Sequence, residues 1–186
     1  KFLLSKSGKT VYIAFKGTSS LKNIYANVNI RMKNVSNNVY IHSGFLDYYK
    51  QAEKQVEEYL NETKPKRIVL SGHSMGGAVA TIAAYMLYKS YGPIIELFTF
   101  GSPQVGNMSF KKYMNAHIKK SWRFVNNKDY VVRSVPRRDF HHVGNLVLIN
   151  NDNGNYITSH LMPEYIKGIK SGKYDILRHS MCRTKR

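Results

Sequence analysis

Short β-forming runs along the chain alternate with longer segments of helical periodicity. Strands are predicted where apolar and β-branched residues follow one another, at residues 10–15, 67–71, 94–100, 122–125 and 143–149. Helices are predicted where apolar residues recur at steps of three and four, at residues 45–62, 75–91, 163–170 and from the N-cap Asn107 onward. This alternation predicts an α/β fold with a mostly parallel sheet and helices on both faces.

The size and composition of the chain indicate one domain. The 186 residues are 42% hydrophobic, which is enough for a substantial core. The sequence contains neither an apolar run of about 18 residues nor a signal-peptide pattern, so we expect a water-soluble protein and can name no compartment. The chain begins abruptly at Lys1, close to a predicted strand, which suggests a processed or excised piece.

The charge of the chain is strongly positive. Lys and Arg outnumber Asp and Glu by 29 to 11, for a net charge of +18, which favours anionic partners such as phospholipid headgroups or nucleic acid. Because the basic residues are spread along the chain, we interpret them as solvated surface. The single cysteine, Cys182, excludes an intrachain disulfide and a cysteine zinc cluster. We expect no metal and no cofactor.

One heptapeptide carries the clearest chemical signal. Residues 72–78 read Gly-His-Ser-Met-Gly-Gly-Ala, between a predicted strand and a predicted helix. The pattern G-x-S-x-G in this context is typical of a nucleophile elbow, a strained strand-to-helix turn that exposes a serine hydroxyl. Ser74 is therefore the predicted nucleophile.

A serine nucleophile needs a base, and the base needs an acid that orients it. Asp129 follows the predicted strand 122–125 directly, at the edge of the sheet where parallel strands place their ligands. We predict that it is the acid. Asp139 and Asp152 remain alternatives, each farther from a strand end.

Seven histidines compete for the role of base. His160 lies downstream of the acid on a late loop, in the chain order Ser, Asp, His of this kind of site. The others lie upstream of the acid, before a strand, inside the elbow or in the charged tail: His42, His73, His117, His141, His142 and His179. We predict that His160 takes the Ser74 proton.

The oxyanion formed by attack on an ester requires hydrogen-bond donors. Met75, directly after the nucleophile, supplies one backbone N–H. Thr18, after the strand that ends at Phe15, is predicted to supply the second. The alternative there is an ordinary turn closed by the Thr18 hydroxyl.

All of these residues except His160 lie within six ordered motifs, through which nearly the whole chain resembles the class 3 lipases, fungal-type triacylglycerol lipases with an α/β-hydrolase fold. The motifs are F-K-G-T at 15–18, I-H-S-G-F at 41–45, G-H-S-M-G-G-A at 72–78, F-T-F-G-S-P-Q-V-G-N at 98–107, N-N-K-D-Y-V-V-R-S-V-P at 126–136 and H-V-G at 142–144. His160 with Tyr165 resembles the family's histidine segment. The resemblance implies that residues 1–186 form one α/β-hydrolase domain that lacks N-terminal elements of the family.

The resemblance also implies a lid over the cleft. Its apolar face would consist of Leu21, Ile24, Tyr25 and Val28, at helical spacing, and the alternative is an ordinary core-packed helix. The chain departs from the family pattern at Lys16, Ile24, Asn27 and Tyr130.

The predicted activity is hydrolysis of acylglycerol esters at a lipid–water interface. A phospholipase A1 or lysophospholipase is the alternative, since the positive charge favours anionic phospholipid surfaces. The non-enzymatic alternative is a basic lipid- or nucleic-acid-binding module on a hydrolase scaffold. This alternative does not explain why every residue that catalysis requires is present. We therefore expect lipid rather than nucleic acid as the partner.

Overall fold

The computed structural model describes residues 1–17, 31–133, 139–150, 155 and 158–178. The strands are β1 Phe2–Ser7, β2 Thr10–Phe15, β3 Met32–Ser36, β4 Val39–His42, β5 Arg67–His73, β6 Ile95–Phe100, β7 Lys120–Asn126, β8 Asn145–Ile149 and β9 Tyr174–Leu177. The α-helices are α1 Ser43–Thr63, α2 Met75–Tyr91, α3 Met108–His117 and α4 Met162–Lys170.

A seven-stranded sheet forms the centre of the molecule, in the order β1-β2-β5-β6-β7-β8-β9. Strands β2, β5, β6, β7 and β8 run parallel to one another. The two edge strands, β1 and β9, are antiparallel to their neighbours, and β3 pairs with β4 in a separate hairpin. The predicted α/β fold with a mostly parallel sheet is confirmed.

Helices α1 and α2 pack in successive layers over one face of the sheet. Twelve residues of α2 are buried, because this helix lies between strands β5 and β6 and helix α1. In α1 the buried residues follow the helical spacing of its sequence, including Phe45, Tyr49, Ala52 and Val56. The two helices show how an amphipathic sequence forms an outer layer while an almost wholly apolar one is covered on all sides.

The opposite face of the sheet carries α4. Neighbouring residues of a strand point to opposite faces. Thr99 of β6 lines a small buried cavity together with Thr81 of α2, whereas the next residue, Phe100, contacts Tyr165 of α4. The expectation of helices on both faces is therefore confirmed for the described residues.

Several strands were not predicted from the sequence. Strands β3 and β9 lack a buried apolar run, and all four residues of β9 are exposed. The strand predicted at 143–149 begins later, at Asn145, because Gly144 adopts a positive φ of 77°. Among the described helices, none combines the length and apolar character that crossing a membrane requires.

Candidate active site

Ser74 occupies the turn between β5 and α2, with a φ of 56° and a ψ of −129°. This backbone conformation is costly for a residue with a side chain, so the surrounding structure must hold it. The Ser74 N–H donates to the Phe100 carbonyl at 2.9 Å, and the Ser74 carbonyl accepts from the Gly77 N–H at 2.9 Å. The predicted elbow is present.

Close backbone packing holds this turn in place. A Cβ atom on Gly76 would lie 2.1 Å from the Phe15 carbonyl oxygen, and one on Gly17 would lie 3.3 Å from Ser74 Cβ. The end of β2 therefore runs directly against the elbow. The spacing of glycines in the motif is explained by this contact, because only a residue without a side chain lets the backbones approach so closely.

Asp129 lies on the turn that follows β7 and is 2% exposed. Its N–H donates to the Asn126 carbonyl at 3.0 Å, and its Oδ1 accepts from the Val131 N–H at 2.8 Å. Its Oδ2 accepts from the Tyr165 hydroxyl at 2.6 Å. These bonds hold the carboxylate in one orientation.

His160 ends the short 3-10 turn Thr158–His160 and is 2% exposed. Its Nδ1 lies 2.8 Å from Asp129 Oδ2, so Nδ1 carries a proton and donates it to the carboxylate. In the neutral ring the lone pair is then on Nε2. The structure thus brings Asp129 and His160, which are 31 residues apart, into direct contact.

Ser74 Oγ and His160 Nε2 are both buried, and neither has a hydrogen-bond partner among the described residues, so the two atoms are not bonded to each other. Gly101 follows Phe100, whose carbonyl accepts the hydrogen bond from the Ser74 N–H. A Cβ atom placed on Gly101 would lie 2.8 Å from Asp129 Oδ2 and 3.1 Å from His160 Cε1. The nucleophile turn and the Asp129–His160 pair therefore share one small region. Buried polar atoms without partners cost free energy, which points to a chemical use for them.

Two further side chains belong to this site. The first is Tyr165, which the sequence analysis placed in the histidine segment without assigning it a role. Tyr165 is fully buried, and its hydroxyl donates a hydrogen bond to Asp129. Burial, and then the Asp129 carboxylate, raises the pKa of Tyr165 well above its ordinary value, so Tyr165 acts as a proton donor in the hydrogen bond.

His73 was set aside on sequence grounds, as a residue inside the elbow, but it contacts the predicted base. Its Nε2 donates to the His160 carbonyl at 2.6 Å, and the two rings lie 4.6 Å apart. No sequence signal marks this contact, because the two residues are 87 positions apart.

The competing residues lie elsewhere. His142 Nε2 donates to the Val132 carbonyl at 3.0 Å, and burial lowers the pKa of His142 to about 3. His42 stacks on Phe45, and burial lowers the pKa of His42 to about 4. Asp139 is exposed.

The remaining site predictions lie partly outside the described residues. Met75 begins α2 directly after Ser74. Thr18, the lid residues Leu21, Ile24, Tyr25 and Val28, and the alternative acid Asp152 fall outside the described part of the chain. These assignments stay predictions.

A groove of about 780 Å³ adjoins the elbow. It runs between the β1–β2 hairpin and helices α1 and α2, and its lining includes Gly17 and Met75. Its apolar wall includes Phe2, Phe15 and Val79. Lysine and glutamine side chains also line the groove. Its volume lies within the range of small-molecule sites.

Comparison with known proteins finds lipases and a phospholipase among the relatives of this chain. Residues 12–139 match the family model described as Lipase (class 3). A lipase of Rhizopus niveus is 30% identical over 74% of this chain, and a chloroplastic phospholipase A(1) of Arabidopsis thaliana is 27% identical over 88%. The solved triacylglyceride lipase of Rhizomucor miehei superposes with a TM-score of 0.72 at 27% identity, over 81% of this chain and 62% of that one.

The matches to the curated relatives extend over only part of those proteins. The chain spans 38% of the length of the Rhizopus lipase and 40% of the Arabidopsis phospholipase. The family model nevertheless matches well over half of this chain, through the strand that precedes the elbow, the elbow itself and the turn of Asp129. The chain belongs to the class 3 lipase family, and its sheet is that of an α/β-hydrolase.

Proposed function

We propose that this chain hydrolyses carboxylic esters of acylglycerols, with Ser74 as nucleophile, His160 as base and Asp129 as its orienting acid. The observation that carries the proposal is the 2.8 Å contact between His160 Nδ1 and Asp129 Oδ2. It directs the proton of the neutral imidazole to the carboxylate and leaves the buried Nε2 as an acceptor. Ser74 Oγ is a buried hydroxyl in the same region and has no hydrogen-bond partner among the described residues.

The proposed reaction has two halves. His160 Nε2 takes the Ser74 proton while Oγ attacks the ester carbonyl, and the resulting imidazolium then protonates the departing alcohol. Water, activated by the same nitrogen, then hydrolyses the acyl-enzyme and releases the fatty acid. The Asp129 carboxylate stabilises the imidazolium in both halves.

The oxyanion of each tetrahedral intermediate requires donors placed in advance. We assign this role to the backbone N–H of Met75, at the N-terminus of α2, where the helix dipole also favours negative charge. Thr18 directly follows Gly17, which lies against Ser74, and this neighbourhood supports Thr18 as the second donor.

The groove beside the elbow has an apolar wall, which supports an acylglycerol as the substrate. The groove adjoins both Gly17 and Met75, so a chain bound in it would lie next to the proposed oxyanion site. The lid assigned to Leu21, Ile24, Tyr25 and Val28 would expose apolar surface when it opens, at about 25 cal/mol for each Å². A lipid–water interface would offset that cost, so activity should rise sharply when the substrate aggregates.

Hydrolysis of phospholipids, of the phospholipase A1 type, is the second candidate function. Two observations favour it, the net charge of +18 and the similarity to a plant phospholipase A(1). Each basic side chain near an anionic surface contributes about 1 kcal/mol of attraction. Salt would weaken this attraction, because charges are screened beyond about 10 Å at 0.1 M.

The test is a parallel assay of emulsified triacylglycerol, anionic phospholipid vesicles and a soluble short-chain ester, with wild type and Ser74→Ala. We expect hydrolysis of all three by wild type, with triacylglycerol the best substrate, and a loss of several powers of ten in Ser74→Ala. Faster phospholipid hydrolysis that added salt suppresses would select the second candidate. Equal turnover by a folded Ser74→Ala variant would refute the serine mechanism.

A further inference from the structure

The proposed base sits on a segment held by two side chains that take no direct part in the chemistry. The carbonyl of Ser159 accepts a hydrogen bond from Asn126 Nδ2 at 2.7 Å. The next carbonyl, that of His160, accepts from His73 Nε2 at 2.6 Å. The carbonyl of Ser159 is thus bonded to the last residue of β7, and the carbonyl of His160 to the last residue of β5.

Both anchors are firmly placed. Asn126 is fully buried, and its own N–H lies 3.3 Å from the Tyr165 hydroxyl that bonds Asp129. His73 directly precedes Ser74, so the elbow that presents the nucleophile also presents this donor. The position of the base is therefore coupled to the positions of the acid and the nucleophile through two side chains.

The chemistry of His73 suits it to this position. A carbonyl acceptor requires a proton on Nε2. Its ring lies 4.6 Å from the His160 ring, where a second positive charge would oppose protonation of the base. Burial, and then the nearby His160, lowers the pKa of His73, so the ring is neutral while it donates.

We propose that His73 and Asn126 are positioning residues, which anchor the His160 and Ser159 carbonyls so that His160 Nε2 is directed at Ser74 Oγ. This inference rests on the proposed ester hydrolysis. Bonds within the 3-10 turn, such as that from the Leu161 N–H to the Thr158 carbonyl, fix its shape. Its place on the sheet depends on bonds to other elements. Loss of either anchor would let the base move relative to the nucleophile.

The decisive experiment compares His73→Phe, which keeps a ring but removes the donor, with His73→Gln, whose amide nitrogen restores a donor at similar reach. Turnover of a soluble short-chain ester is measured per active site titrated with a phosphonate ester. We expect kcat to fall by about 10- to 100-fold in His73→Phe, as for small displacements of a catalytic group, with KM unchanged. His73→Gln should recover most of the loss.

His42→Phe is the matched control, since His42 is a buried histidine that stacks on Phe45. It should change thermal stability and leave kcat per titrated site unaltered. An unaltered kcat in His73→Phe, or a His73→Gln variant as slow as His73→Phe, would overturn the proposal. Asn126→Ser provides a second test through the other anchor, with the same expected fall in kcat, should His73→Phe fail to fold.

A spectroscopic arm separates this inference from the proposed function. The low-field proton resonance of the His160–Asp129 hydrogen bond is recorded in each variant without substrate. We expect it to broaden or vanish in His73→Phe and to persist in His42→Phe. If wild type hydrolyses no ester, the proposed function fails, and the resonance still decides the anchoring, since an unchanged signal in His73→Phe would overturn it.

Discussion

The nucleophile side and the base side of the site are held by different means. At the elbow, backbone lies directly on backbone, with Gly76 against the Phe15 carbonyl and Gly17 against the His73 carbonyl. Around Asp129 and His160, side chains distant in sequence hold the structure through hydrogen bonds, as with Tyr165 on Asp129 and His73 on the His160 carbonyl. Contact between backbones appears in the sequence as glycines at fixed positions. Which side chains pair in a hydrogen-bond network does not, because many residue types can donate a hydrogen bond.

The largest expected effect is on the base side. Asp129→Asn should lower kcat by up to about 10⁴-fold, as the equivalent change does in serine proteases, because the imidazolium of His160 loses its charge partner. The measurement is turnover of a soluble ester. The exposed Asp139 supplies the control, Asp139→Asn, which should leave kcat unaltered, and the reverse ranking would show that Asp129 is not the acid.

The next largest effect is on the elbow. Gly76→Ala should lower the free energy of unfolding by about 3 kcal/mol, because the new Cβ would meet the backbone of Phe15 at 2.1 Å. Gly77→Ala should cost less, since its nearest contact is the Ser102 Cβ at 2.8 Å. Urea unfolding of both variants checks the order. Equal losses would indicate that the elbow adapts, and that backbone contact does not hold it.

A smaller effect tests the hydrogen-bond network around Asp129 without removing a charge. Tyr165→Phe deletes the hydroxyl that bonds Asp129 and should lower the free energy of unfolding by about 1 to 3 kcal/mol, with a fall in kcat smaller than that of Asp129→Asn. Tyr49 is also fully buried, but its hydroxyl has no partner among the described residues. Tyr49→Phe should therefore be neutral or stabilising, and a similar loss in both variants would contradict the role of Tyr165.

The smallest effect at neutral pH lies outside the site, and it grows as the pH falls. The pKa of His42 is about 4 and that of His142 about 3, both lowered chiefly by burial from 6.5. Below pH 6.5 the two histidines bind protons in the unfolded chain but stay neutral in the folded one. The free energy of unfolding is therefore highest above that pH and declines below it. Each histidine accounts for up to about 1.4 kcal/mol per pH unit.

The check is urea unfolding of wild type and His142→Gln from neutral to acid pH. The variant should lose stability with a shallower slope, because it has one histidine fewer to protonate on unfolding. An identical slope would mean that His142 titrates normally in the folded protein.

The predictions from sequence succeeded where the signal was local. The strand before Ser74, the helix after it and the buried stripe of α1 all follow from periodicity and glycine spacing. Strand β9 was missed because its residues are exposed and its pairing with β8 comes from the sheet. Its existence depends on a neighbour that the local sequence does not specify.

The sequence by itself determined the alternation of the central parallel strands with helices, the elbow and the membership of a lipase family. It also ranked Asp129 and His160 above their competitors by their places in the chain. Only the tertiary structure decided that these two side chains touch, that the Tyr165 hydroxyl bonds Asp129, and that His73 bonds the carbonyl of His160. Periodicity reports the face on which a residue lies, but hydrogen bonds between residues 31 to 87 positions apart depend on how the packed strands and loops bring their ends together.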